Sequence, residues 1–230
     1  MFSQFFVTIV PSLLILAFFI FSDKFKEPKQ SIIKVFIYGI LITIPAYFLN
    51  TALGDYFYNR TVASEHLIGS FLTAAPIEEG LKFLVLYFLV YKMKDFNEPI
   101  DGIVYGVCVS LGFATLENFY YVYAIDWGSY STTMSIAYLR AFSAVPMHAL
   151  AGCIMGYFFM KYSFVSRKDN LFFCFFVPFL IHGFYNLFAG INNFALYGLL
   201  IIGWIIAFKL FSDLTKKQKK KGKEYEKKIN

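Results

Sequence analysis

The chain has 230 residues, of which 58% are hydrophobic, 21% aromatic and only 16% charged. A soluble domain carries roughly 45–50% apolar and about 25% charged residues, and a chain this short has too little interior to bury the excess. A soluble globular domain and a disordered chain are thereby excluded, which leaves a polytopic membrane protein. The net charge of +6 is concentrated at the end: nine of the 21 Lys and Arg lie from Lys209 onward, most of them in the run TKKQKKKGKEYEKK. That run directly follows an apolar stretch. Residues 212–230 therefore read as a basic cytoplasmic tail with a weak attraction for anionic lipid, and no nucleic-acid module is evident.

Seven apolar stretches follow one another, approximately over 2–21, 32–50, 67–91, 100–125, 134–160, 171–189 and 194–211. Each is near the ~20 residues that cross a bilayer as a helix. None shows the alternation of a membrane β-barrel strand. The expected fold is all-α: a polytopic bundle of about seven transmembrane helices forming one domain over residues 1–211. The first stretch has no basic residue before it, no small-residue cleavage site, and an apolar run longer than the roughly 7–15 residues of a signal peptide, so it reads as a retained helix. Lys24, Lys26 and Lys29 follow the first stretch; Lys92 and Lys94 follow the third; Lys161, Arg167 and Lys168 follow the fifth. The alternate connections hold only Arg60. This asymmetry puts the N-terminus outside and the C-terminus in the cytoplasm. Cys108, Cys153 and Cys174 lie inside apolar stretches without metal-type spacing and read as reduced packing residues.

Glu78, Glu79, Lys82, Glu117, Arg140, His148 and His182 lie within the predicted spans. An ionised group in the bilayer costs a few kcal/mol or more, so it faces a protein interior or a wet cavity and has a partner. The third helix reads Ala-Pro-Ile-Glu78-Glu79-Gly-Leu-Lys82. Glu78 and Lys82 share a face at i,i+4, and Glu79 is within reach of Lys82 at i,i+3. Two adjacent carboxylates in low dielectric do not both ionise cheaply unless a cation compensates, which is the electrostatic arrangement a general base needs. Pro76 loosens the helix just before them. His182 and Asn186 share one face of the sixth helix. At ~1.5 Å rise per residue, Glu78 and Glu79 lie about 17 Å from the outer edge, His148 about 20 Å, and Glu117 and His182 about 10 Å. These depths are compatible with one cluster between the midplane and the outer face. Arg140 reads as a counter-charge or interface anchor, and His66, at an outer helix edge, as solvated.

The motifs Glu78-Glu79-x-x-Lys82, Asp101-Gly-Ile-Val-Tyr-Gly, Ser110-Leu-Gly-Phe-Ala-Thr-Leu-Glu117-Asn118, His148-Ala-Leu-x-Gly and His182-Gly-x-Tyr strongly resemble those of the PrsW family of bacterial intramembrane proteases. The likeness extends from about residue 28 to residue 186. A wider resemblance is to the CAAX-protease and bacteriocin-processing superfamily. The resemblance implies a multi-pass protein of the bacterial cell membrane. It also implies site-1 cleavage of a single-pass anti-sigma factor in an envelope stress response, with Glu78, Glu79, Lys82, Glu117, His148 and His182 as site residues. Where many relatives are expected to carry Asp four residues after the last His, this chain has Asn186, which can hydrogen-bond but brings no charge.

Two mechanisms are compatible with these residues. In a glutamate version, Glu78 or Glu79 (Glu78 favoured) takes a proton from water, while His148 or His182 and Asn186 stabilise the oxyanion. In a metal version, Glu78, Glu79, His148 and His182 hold Zn²⁺. The lack of His-Glu-x-x-His, and the competition of Lys82 with a cation, favour the version without a cofactor. An ion- or proton-coupled transporter could use the same buried groups as relays, but no internal repeat supports it. A non-catalytic membrane scaffold would use them as polar packing.

Overall fold

A computed structural model describes residues 2–58, 67–165 and 168–229. Arg60, His66 and Arg167 lie outside the described residues. Every secondary-structure element of the described residues is helical. It comprises α1 (Phe2–Ser22), α2 (Lys29–Tyr58), a π-helical segment (Ile68–Ala74) that runs into α3 (Ala75–Phe88), α4 (Pro99–Phe119) with a π-helical extension (Tyr120–Ala124), α5 (Tyr130–Phe142), α6 (Ala144–Val165), α7 (Asp169–Ile191) and α8 (Asn193–Ile229).

Six helical runs are long and apolar enough to cross a membrane: Ser3–Ser22, Lys29–Phe57, Pro99–Ala124, Tyr130–Val165, Asp169–Ile191 and Asn193–Lys220. The remaining expected span, built on α3, carries Glu78, Glu79 and Lys82 in its middle. Large apolar side chains such as Leu14, Phe48, Ile201 and Ile205 are exposed on the outside of the bundle. That surface suits lipid, while the polar residues described below are gathered within.

One expected span is divided. The expected span over 134–160 breaks at Ser143 into α5 and α6. Pro146 accounts for the break. It has no N–H to offer the carbonyl four residues back, and its ring crowds that carbonyl; in the first turn of a new helix neither matters. Arg140 therefore belongs to a short helix separate from the one that carries His148.

Helix α4 is the centre of the bundle, with nearly all of its side chains buried. Glycines set its distance from two neighbours. A Cβ on Gly156 of α6 would sit 2.0 Å from the Gly102 carbonyl oxygen, and one on Gly106 would sit 2.4 Å from that of Gly152. Two small-x-x-x-small faces thus meet, Gly102/Gly106 against Gly152/Gly156, and the backbones touch. On the other side, a Cβ on Gly112 would lie 2.1 Å from the Phe36 carbonyl oxygen of α2. This close packing brings Glu117 of α4 and His148 of α6 together.

The π-helical segment before α3 also has a local cause. Pro76 removes one hydrogen-bond donor from the ladder and pushes back the carbonyl one turn earlier. Thr73 Oγ1 bonds back to the Gly69 carbonyl at 3.0 Å, which helps satisfy the widened turn. Such turns recur at functional sites.

Candidate active site

Glu78 and Glu79 are neighbours in sequence but project about 100° apart around α3. Glu78 faces a cavity of about 1190 Å³, whose lining also includes Glu117, Arg140, His148, His182 and Asn186. Glu79 and Lys82 are not among the lining residues; both are completely buried behind it. Both π-helical segments, through Ser70, Thr73, Tyr120 and Tyr121, form part of the wall.

The polar groups form one connected chain. Arg140 Nη2 lies 2.6 Å from Glu117 Oε2, and Arg140 Nε donates to Asn118 Oδ1 at 2.8 Å. The guanidinium also stacks on the Tyr121 ring, 3.8 Å from its centroid. His148 Nε2 lies 2.9 Å from the same Glu117 oxygen, and His148 Nδ1 lies 2.9 Å from Lys82 Nζ. Lys82 Nζ donates to Glu79 Oε1 at 2.7 Å. That oxygen also lies 2.8 Å from His182 Nδ1. His182 Nε2 then faces Glu78 Oε2 at 3.9 Å, and Asn50 Nδ2 donates to Glu78 Oε1 at 3.1 Å.

These contacts fix the tautomers of neutral imidazoles. An ammonium only donates, so His148 Nδ1 accepts and Nε2–H donates to Glu117. A carboxylate only accepts, so His182 Nδ1–H donates to Glu79 and its Nε2 lone pair is free towards Glu78. Glu78 Oε2 is buried without a partner. The bonds to Glu117 all fall on Oε2, which leaves Oε1 free at the cavity wall.

The structure brings together Glu78, Glu79, Lys82, Glu117, His148 and His182, and places Asn186 on the same cavity wall. Of the two acids within its reach, Lys82 pairs with Glu79 at i,i+3 and not with Glu78 at i,i+4. His182 is oriented by Glu79, while among the described residues no hydrogen bond holds Asn186. Arg140 is the counter-charge of Glu117, as one of its two expected roles required. Asn50, in the sequence only the end of an apolar stretch, joins the site through Glu78; its one sequence signal is a polar amide at the edge of a span.

The ligand atoms of Glu78, His148 and His182 lie within 4.8 Å of one another. The orphaned Glu78 oxygen and the free His182 lone pair are donors of the zinc type, and His148 completes the set when it exchanges its contact with Lys82 or Glu117 for the ion.

Residues 27–211 match the family model described as PrsW family intramembrane metalloprotease. The chain belongs to the PrsW protease family. Curated relatives agree. A protein named Protease PrsW from Geobacillus kaustophilus is 37% identical over 81% of this chain and 79% of its own length. One of the same name from Oceanobacillus iheyensis is 36% identical over 86% of this chain and 90% of its own. The Bacillus subtilis protein of that name is 36% identical over 77% of this chain and 78% of its own. No solved structure matches the chain. Family and fold together make it a multi-pass protease of a bacterial membrane.

Proposed function

We propose that the chain is a zinc-dependent intramembrane endopeptidase that performs the first cleavage of a single-pass anti-sigma factor on its extracytoplasmic side, in envelope stress signalling. Residues 1–211 are the protease domain and 212–230 a cytoplasmic tail, with the N-terminus outside. The observation that carries the reading is the convergence of Glu78, His148 and His182 on one point at the wall of a large cavity. The family's description as a metalloprotease supports it. Lys82 is the natural objection to a metal cation here, but its charge is already matched by Glu79 at 2.7 Å.

Glu78 and His182 would hold the ion, joined by His148 once one of its contacts, with Lys82 or Glu117, is given up. Bound zinc supplies Lewis acidity and lowers the pKa of its water. The remaining residues divide the work. Glu79 fixes the His182 ring and its tautomer, a carboxylate–histidine arrangement that raises the basicity of Nε2. Glu117, held by Arg140, presents Oε1 to the cavity as the base for the attacking water. The Asn186 amide is available to donate to the carbonyl oxygen on which charge develops.

One observation favours the metal-free version: both ring nitrogens of His148 are already engaged, by Lys82 and Glu117. Glu78 with its free oxygen is then the base. Purified enzyme, chelated exhaustively and assayed with its metal content measured, separates the two. The zinc reading expects cleavage lost on chelation, regained with zinc, and zinc content lost in His182→Ala. Full activity without bound metal overturns it. For the substrate, membrane proteomes with and without the protease are compared. The expected difference is one single-pass protein that keeps its outer domain only when Glu78 is replaced by Gln or the protease is absent.

A further inference from the structure

The Asp101-Gly-Ile-Val-Tyr105-Gly motif takes no part in the catalytic cluster. Asp101 lies sixteen residues before Glu117 on α4, about 24 Å away along the helix. There it meets the connection between α1 and α2. Carboxylate oxygens of Asp23, Glu27 and Asp101 lie within 4.8 Å of one another.

The groups that hold the three acids are all neutral. Asp23 Oδ1 accepts from the Phe25 N–H at 3.1 Å and from Gln218 Nε2 at 2.7 Å. Asp101 Oδ2 accepts from the N–H groups of Asn97 and Glu98, at 2.8 and 2.6 Å, as part of the cap of α4. Tyr105, fully buried, donates its hydroxyl to Glu27 Oε2. Asp23 Oδ2 and Asp101 Oδ1 remain buried with no donor from outside the cluster, on residues only 2% and 1% exposed, and the Glu27 and Asp101 carboxyls lie within hydrogen-bond reach of each other. No ion pair among the described residues reaches these acids, whereas Glu79 and Glu117 each have a cation. The nearby Lys26 ammonium is turned over the Phe21 ring, 5.0 Å from its centroid. Burial pushes the Asp23 and Glu27 carboxyls up. Clustered buried carboxylates without a matching charge are costly, and a cation among them removes that cost.

We infer that Asp23, Glu27 and Asp101 form a second metal site, remote from the catalytic cluster, that takes a hard divalent cation, Mg²⁺ or Ca²⁺. The donor set is all oxygen, with no nitrogen or sulfur, which is the chemistry of these ions and not of zinc. Gln218 extends the site's reach. It donates to Asp23 and, at 2.8 Å, to Glu98 Oε2, while its Oε1 accepts from the Lys24 N–H at 3.0 Å. A cation here clamps the α1–α2 connection and the start of α4 to each other, and through Gln218 to α8.

The test uses the full chain in detergent carrying His182→Ala, so that binding at the catalytic cluster does not contribute. After chelation, uptake of Mg²⁺ and of Ca²⁺ is measured in separate equilibrium dialysis series, with thermal unfolding in parallel. The expected result is one cation per chain and a rise in the unfolding midpoint of at least about 2 °C. Comparing the two series tells which ion is preferred. Adding Glu27→Gln or Asp23→Asn abolishes both effects. In chelator these variants unfold no lower than their parent, because removing a like charge relieves repulsion. No uptake by the His182→Ala protein up to about 10 mM, above the weak end of protein Ca²⁺ sites, overturns the inference whether or not the variants accumulate. Uptake that persists in both variants overturns it as well. So does loss of stability in the variants to the same extent with and without cation, the result expected of carboxyls that only share a proton.

Discussion

Lys82 Nζ sits 2.7 Å from Glu79 Oε1, and both side chains are completely buried. The same Glu79 oxygen lies 2.8 Å from His182 Nδ1. The second acid of the pair is therefore a buried linchpin between a lysine and a histidine, while the first, Glu78, is left to face the cavity. Two adjacent glutamates thus take different work because a helix turns their side chains about 100° apart.

A buried ion pair broken on one side leaves an unmatched charge. Lys82→Met is expected to destabilise the protein by about 3–5 kcal/mol, and Lys82→Met with Glu79→Gln by clearly less. Thermal unfolding in detergent reads the difference. A double variant no more stable than the single one would count against the pairing.

Glu78 makes one described hydrogen bond, from Asn50, and carries a free buried oxygen. Glu78→Gln is expected to cut cleavage of a reporter substrate by about 100-fold or more while the protein still accumulates in the membrane. Cleavage within a few-fold of the wild type would remove Glu78 from the chemistry.

Arg140 grips Glu117 and Asn118 with two nitrogens and stacks on Tyr121. Lysine keeps the charge but lacks the planar fork. Arg140→Lys is expected to lower kcat by about tenfold with little change in KM, since the charge stays at the cavity wall while the aim of Glu117 is disturbed. A change confined to KM would instead assign Arg140 to substrate binding.

Gly156→Val places side-chain atoms where the Gly102 carbonyl already lies, 2.0 Å from an ideal Cβ. The helices must separate, at a cost of about 1–3 kcal/mol or more, and the distance between Glu117 and His148 changes with them. Lower accumulation and lost activity are expected. Gly198→Ala, which meets nothing within 4 Å, is expected to behave as wild type. Equal behaviour of the two variants would contradict the packing account.

The sequence by itself determined the membrane class, the seven apolar stretches and the unusual charges within them, because bilayer thickness and the cost of intramembrane charge act directly on local composition. It showed Glu78, Glu79, Glu117, His148 and His182 as one group through motif resemblance and similar depth. It did not show which acid Lys82 takes, because i,i+3 and i,i+4 are both within reach, and only the packed structure shows Lys82 and His182 of α7 meeting the same Glu79 oxygen. The break at Ser143 was signalled by Pro146 but hidden by an unbroken apolar run. Asn50 reaches Glu78 across 28 positions of sequence, and Asp23 and Glu27 reach Asp101 across more than 70. Such distances are closed only by helix packing, here by glycines that let α2, α4 and α6 touch, and no local pattern encodes which side chains that packing will bring face to face.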